Sequence, residues 1–314
     1  MKRKAVIISV ASTKLNSLEK KLISHERPWG IILFKRNINS LKQTSKLIDD
    51  IRKYAKDSNF PILIDEEGGE VSRLRKIINN HRSQNFFGEI YKKDKKLSFT
   101  LYKEYLLSII NILKKLKINI NTVPVLDLIS KNSHRIITNR SYGNNLKTIK
   151  DLSNICIDIY NKNQIATVIK HIPGHGQANA DSHLKLPIIK KRLNFLINKD
   201  FKCFKRKKSF FAMTAHILFN KIDKKNCVTH SKKIIKEIIR KRIGFKGILI
   251  SDDISMKALK FDLLTNAKKS LNAGCNLVLY CSGKAKVSQK LLQNLPYIDR
   301  FTQKKTYQFY RFLR

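Results

Sequence analysis

Eight short apolar runs recur along the chain, at residues 5–10, 30–34, 61–64, 120–125, 166–169, 210–214, 247–250 and 277–280. Each has strand character. Between them lie segments whose apolar residues return at helical spacing, at 18–24, 41–54, 99–116, 149–161, 232–242 and 258–272. Asn16 and Glu19 stand three residues apart at the start of the first of these, the spacing of a capping box. Strands alternating with helices predict βαβ units and a parallel sheet. Eight such units predict a sheet closed on itself, an α/β fold of the (β/α)8 TIM-type barrel class. A chain of 314 residues suits one such barrel. No linker, fixed-period repeat or low-complexity tract interrupts it, so residues 1–314 are expected to form a single catalytic barrel domain with a short helical tail after Cys281.

Polar residues follow the strands in a pattern. Lys35-Arg36-Asn37 follows the second run, Asp65-Glu66-Glu67-Gly68-Gly69 the third and Asp127 the fourth. Lys170-His171 follows the fifth, Ala215-His216 the sixth and Ser251-Asp252-Asp253 the seventh. A barrel would gather all of them at one rim, where its βα loops build the site. Turn formation or helix capping explains any one of these groups but explains the whole set poorly.

Composition changes this picture little. The 65 Lys and Arg against 23 Asp and Glu give a formal net charge of +42. A nucleic-acid protein concentrates such charge on one face with aromatics between the basic residues. Here the basic residues are spread along the whole chain, which favours compositional drift with some nonspecific affinity for anions. The five cysteines, Cys156, Cys203, Cys227, Cys275 and Cys281, are odd in number and show no CxxC spacing, so buried free thiols are expected. No stretch approaches the length of a membrane span. The basic start Met1-Lys2-Arg3-Lys4 precedes an apolar run that is short for a signal peptide and ends at Thr13-Lys14, which predicts a first strand and a cytoplasmic protein.

Three stretches carry candidate chemistry. The first runs from Lys170 to His183 and packs His171, His175 and His183 with Gly174 and Gly176 into a loop. His171 and His175 have HxxxH spacing, but Pro173 and the glycines make a zinc-binding helix improbable. Asp181 and His183 stand two apart, and a carboxylate there can hold an imidazole in one tautomer and raise its pKa for general acid/base work. Surface ion pairs share that spacing. The second stretch, 247–256, ends a buried strand in Asp252-Asp253. Asp253 or Ser255 can cap a following helix; alternatively Asp252 is a nucleophile able to attack an anomeric carbon. The third, 64–74, sets Asp65, Glu66 and Glu67 before Gly68-Gly69, and carboxylates at a rim suit sugar hydroxyls.

Together these stretches resemble glycoside hydrolase family 3, and within it the bacterial β-N-acetylglucosaminidases. Ile32-Leu33-Phe34-Lys35-Arg36-Asn37 is similar to that group's ILF-x-RN segment, Asp65 to Arg73 to its D-x-EGG-x-V-x-R, and Val123 to Asp127 to its APVLD. Lys170 to His183 matches KH-x-PGHG-x-x-x-x-DSH in full, Met213 to His216 matches MTAH, and Ser251 to Met256 matches SDD-[LI]-x-M. The matches run in order over nearly the whole chain. Two departures stand out. Thr138-Asn139-Arg140 replaces the family's Gly-Asp-Arg, and Asn276 replaces the usual Asp near the last strand.

The resemblance implies roles. Asp252 would be the nucleophile and His183 the general acid/base, with Asp181 as its partner. Asp65, Arg73, Arg140, Lys170 and His171 would bind N-acetylglucosamine. The implied reaction is a retaining double displacement on N-acetylglucosamine linked to 1,6-anhydro-N-acetylmuramic acid peptides, cell-wall fragments recycled in the cytoplasm, with the loop 172–186 closing over the substrate. No metal or organic cofactor is implied, and no partner beyond the small carbohydrate: no specific nucleic acid, no membrane span, and a monomer. A histidine acid/base repels anionic nucleophiles less than a carboxylate does, so phosphate in place of water is the alternative chemistry. A family 3 β-glucosidase or β-xylosidase is disfavoured, because those usually lack the histidine loop and carry a second domain. A reading from another class is a catalytically inactive, basic nucleic-acid-binding barrel, supported by the charge alone.

Overall fold

The structure is a computed structural model and describes residues 2–131, 133–178, 180–182 and 184–314. At its centre is a closed barrel of parallel strands: Lys4–Ile8, Pro28–Leu33, Ile62–Ile64, Ile120–Asn121, Ala166–Ile172, Phe211–Thr214, Ile248–Asp253 and Leu277–Leu279. Each strand pairs with its neighbours in chain order, and the first closes on the last with Val6 opposite Val278 and Ile7 opposite Leu279. The chain therefore forms the (β/α)8 barrel that its pattern predicts. One small addition lies outside the wall, the parallel pair Ile188–Ile189 and Leu218–Phe219.

The runs read as continuously apolar because the strands are buried on both faces. Successive side chains point to opposite faces. Ala5, Ile7, Val168, Phe211, Ile248 and Ile250 belong to one buried cluster inside the barrel. Their chain neighbours Val6, Ile8, Ile169, Ala212 and Leu249 belong to a second, larger cluster shared with the surrounding helices. The end of the barrel where the strands begin is closed by the last helix, Arg300–Phe312. Its Phe309 stacks edge-on against Phe211, with ring centroids 5.3 Å apart. The fully buried Trp29 donates its indole N–H to the Thr306 hydroxyl at 2.9 Å.

Helices follow the predicted periodicity closely at 41–54 (Leu41–Ala55), 99–116 (Lys95–Lys115) and 149–161 (Leu146–Lys162). The capping box at Asn16 and Glu19 is present in full. The predicted helix at 232–242 is a π-helix, Ile234–Ile243, ended by Gly244 in the left-handed region. The helix expected from 258 starts instead at Leu263, because the Asp262 side chain accepts the N–H groups of Leu264 and Thr265 and fixes the start there. The helix Gln84–Lys93 and the 3₁₀ turn Asp200–Phe204 are additions to the expected set, and the tail after Cys281 holds two helices, Ala285–Asn294 and Arg300–Phe312. A further correction concerns the strand ends. Lys170 and His171 lie within the fifth strand, and Asp252 and Asp253 within the seventh, where they were expected just beyond them. Among the described residues no disulfide forms: Cys156, Cys203, Cys227 and Cys275 are buried thiols and Cys281 is half-buried.

Candidate active site

The rim where the strands end encloses a cavity of about 300 Å3. Asp65, Arg73, Arg140, Lys170, His171, Asp181 and Asp252 all line it, brought together from distant parts of the chain. His183, the expected acid/base, lies outside the described residues.

One wall is an ionic lattice. Asp65 follows the third strand directly. Gly68 and Gly69 adopt φ of 88° and 58°, a turn that glycine makes at little steric cost. The turn is closed by the Glu67 N–H on the Val71 carbonyl and returns Arg73 to Asp65, with a guanidinium-to-carboxylate distance of 2.5 Å. Glu66 shapes this return by accepting the backbone N–H groups of Arg73 and Leu74. From the fifth strand, the ammonium of Lys170 sits 2.5 Å from both Asp65 and Glu67. Arg140 grips Glu67 through two hydrogen bonds of 2.8 Å. Burial by itself would push Asp65 and Glu67 up, but the cations outweigh it: Lys170, Arg73 and Arg140 hold Asp65 well below the usual carboxylate range, and Arg140 with Lys170 lowers Glu67. Both stay ionised, so the wall presents fixed charges of both signs to a polar ligand.

A second carboxylate orients the histidines. Asp127 is fully buried and accepts the His171 Nδ1–H at 2.8 Å and the backbone N–H of His175 at 2.7 Å. That arrangement leaves His171 Nε2 facing the cavity, 3.4 Å from an Arg140 nitrogen. Burial opposes the Asp127 charge, yet His171 and His175 lower its pKa. The buried His175 is driven down to about 4 and is neutral. The His171 and His175 rings meet edge-on at 5.7 Å. Among the described residues no group of histidines, cysteines and carboxylates is arranged to hold a metal ion.

The opposite wall holds Asp252 and Asp253. Asp252 accepts the Asp253 N–H at 2.8 Å. The Asp253 side chain accepts the Ser255 N–H and hydroxyl, while its carbonyl accepts the Nε2–H of the buried His216 at 3.0 Å. Burial raises the Asp253 pKa, and the neighbouring Asp252 raises it further. Burial lowers that of His216, keeping the ring neutral. Ile32, Met213 and Leu279 add apolar surface between the polar walls.

Sequence reasoning placed Glu67 and Asp127 among the rim carboxylates and weighed His175 only for an improbable zinc site, so none of the three was given a specific role. The available signal for the first two was position, since each is a carboxylate within a few residues of a strand end. The two departures from the family pattern are accommodated. Asn139 donates to Glu70 beside Arg140, and Asn276 accepts the Leu249 N–H and an Arg240 N–H, each at 2.8 Å.

Comparison with known proteins bears on the family and the fold. The glycosyl hydrolase family 3 N-terminal domain matches residues 2–303. A β-hexosaminidase of Haemophilus influenzae is 32% identical over 304 residues, covering 93% of this chain and 85% of the relative. One from Glaesserella parasuis is 32% identical over 308 residues, covering 96% and 87%. The crystal structure of NagZ from Neisseria gonorrhoeae in complex with N-trifluoroacetyl-D-glucosamine superposes with a TM-score of 0.88 at 28% identity, covering 98% of this chain and 90% of that one. The chain belongs to glycoside hydrolase family 3, among its β-hexosaminidases.

Proposed function

We propose that this hydrolase is a retaining exo-β-N-acetylglucosaminidase, with residues 1–314 acting as one catalytic unit. Its substrate would be a terminal N-acetylglucosamine on 1,6-anhydro-muropeptide fragments, released during peptidoglycan recycling in the cytoplasm by a monomer that needs no cofactor. The observation that carries this reading is the meeting of Asp252 and Asp181 in one cavity with the ionic lattice around Lys170. Asp65 accepts hydrogen bonds from sugar hydroxyls, and Arg73, Arg140, Lys170 and His171 supply donors on the same side. The Asp252 carboxylate attacks the anomeric carbon as the bond to the leaving oxygen breaks, and His183, partnered by Asp181, protonates that oxygen. His183 then takes a proton from water, which displaces Asp252 and frees the sugar with its configuration retained. No described helix is long and apolar enough to cross a membrane.

The test is release of p-nitrophenol from its β-N-acetylglucosaminide by wild type, Asp252→Ala and His183→Ala, with and without phosphate. Wild-type turnover that falls by about 10³-fold or more in Asp252→Ala supports the assignment. Activity unchanged in that variant overturns it, and a phosphate-dependent sugar 1-phosphate product replaces hydrolysis by phosphorolysis.

A further inference from the structure

Under the histidine-rich loop lies a carboxyl that the reaction does not use. Asp200 opens the turn Asp200–Phe204 and is 1% exposed. Among the described residues neither of its oxygens meets a partner at normal hydrogen-bond geometry, and only weaker contacts from the Gln177 side chain and its own backbone N–H favour its charge. Buried carboxylates are ordinarily paired or bonded, so an orphan of this kind needs a reason. The loop backbone rests directly on it. A methyl group at Gly174 would stand 2.8 Å from the Asp200 Cβ, and Gly174 has a φ of 143° that other residues rarely adopt. Among the described residues, the polar and titratable groups facing Asp200 are Gln177 from the loop, Asp127 from behind the fourth strand, and Lys199 and Cys203 from its own segment. Asp127 is ionised and bonded to the start of the same loop. Two carboxyls that share a buried space resist carrying charge together.

We infer that Asp200 is a positioning residue for this loop: as a neutral acid it forms the floor under Gly174 and Gln177, and as a carboxylate it loosens that floor and the residues the loop carries to the sugar. Only the effect on rate rests on the glycosidase reading. Burial, reinforced by the charge on Asp127, pushes the Asp200 carboxyl up to about 7. The folded protein therefore holds a proton that the unfolded chain releases near pH 4. The stabilising effect of that proton is complete below about pH 4 and is lost as pH rises towards 7. Asp65, Lys170 and Arg73 are held by strands and the glycine turn, outside this floor, so ionisation should lower kcat and leave KM unchanged.

Hydrogen exchange of the segment around Gly174–Gln177 tests this without substrate. It would be measured at about pH 6 and about pH 8.5 with correction for intrinsic exchange, in wild type and Asp200→Asn, whose amide imitates the neutral acid. The wild-type segment should exchange about tenfold faster at the higher pH, while the variant stays protected at both. The variant should also keep its kcat at the higher pH with KM unchanged. Equal wild-type protection at the two pH values overturns the inference, and so does a variant that opens with pH as wild type does. The wild-type comparison decides alone if the variant fails to fold. An enzyme inactive at every pH counts against the glycosidase reading, and exchange still decides the role of Asp200.

Discussion

Lys170 shows how one residue can order a site. Its side chain is 2% exposed, and its ammonium is the common partner of Asp65 and Glu67. Replacing it with methionine leaves two buried carboxylates facing each other without their shared cation. Breaking a buried pair in this way costs about 3–5 kcal/mol. The denaturation midpoint of Lys170→Met should fall accordingly, together with substrate binding. A loss below about 1 kcal/mol would show that the lattice is not energetically coupled. The same lattice sets a pH dependence. Asp65, Glu67 and Asp127 all have folded pKa values below their ordinary ones. Their contribution is present above about pH 4 and is lost only as pH falls through those lowered values. KM should therefore stay flat from neutrality down to about pH 5, and a rise in KM across that window would contradict the assignment.

Among the elements, Asn276 offers a direct test of how the chain tolerates its departures. Its side-chain oxygen already accepts from Leu249 and Arg240, and its amide donates to the Thr302 hydroxyl at 3.1 Å. Asn276→Asp keeps both acceptor contacts, turns the Arg240 bond into an ion pair, and lets Thr302 turn from acceptor to donor. Thermal unfolding should show a gain of about 1 kcal/mol or less; destabilisation would mean that the amide is the better group there. The strands were legible because their runs are apolar on both faces, as at 247–250, and the helices where one face repeats, as in 41–54. Strand ends were not. Lys170, His171, Asp252 and Asp253 are polar, so a hydrophobicity pattern stops before them, yet their backbones continue the barrel ladder and their side chains enter the cavity. The helix Gln84–Lys93 escaped because its stop and the next start coincide: Asp94 ends it and also caps Lys95–Lys115. Asp127 and Asp200 could be named as carboxylates but not as a pair, since only the fold brings them under one loop.

The whole molecule has one end open to ligand and the other sealed by its last helix. Phe309 is fully buried at that seal, among Phe210, Phe211 and Phe312. Phe309→Ala should cost about 3–5 kcal/mol. Trp29, the single tryptophan, bonds the same helix and reports on the change without labelling. Its emission should move to longer wavelength as the seal loosens, and an unchanged spectrum with unchanged stability would show that the helix is dispensable. The +42 charge belongs to this scale as well. Spread over the surface, it should give binding to polyanions that fades as salt rises towards about 0.5 M, with glycosidase turnover unaffected. The seal also has a bearing on synthesis. The bond from Trp29 to Thr306 joins residues 277 positions apart. While a ribosome is still making the chain, the strands can line up but the floor of the barrel stays wet until residues near 309 have emerged. Closure of the barrel floor is thus tied to emergence of the helix Arg300–Phe312, and a chain stalled before that helix would display an open apolar funnel to chaperones and proteases.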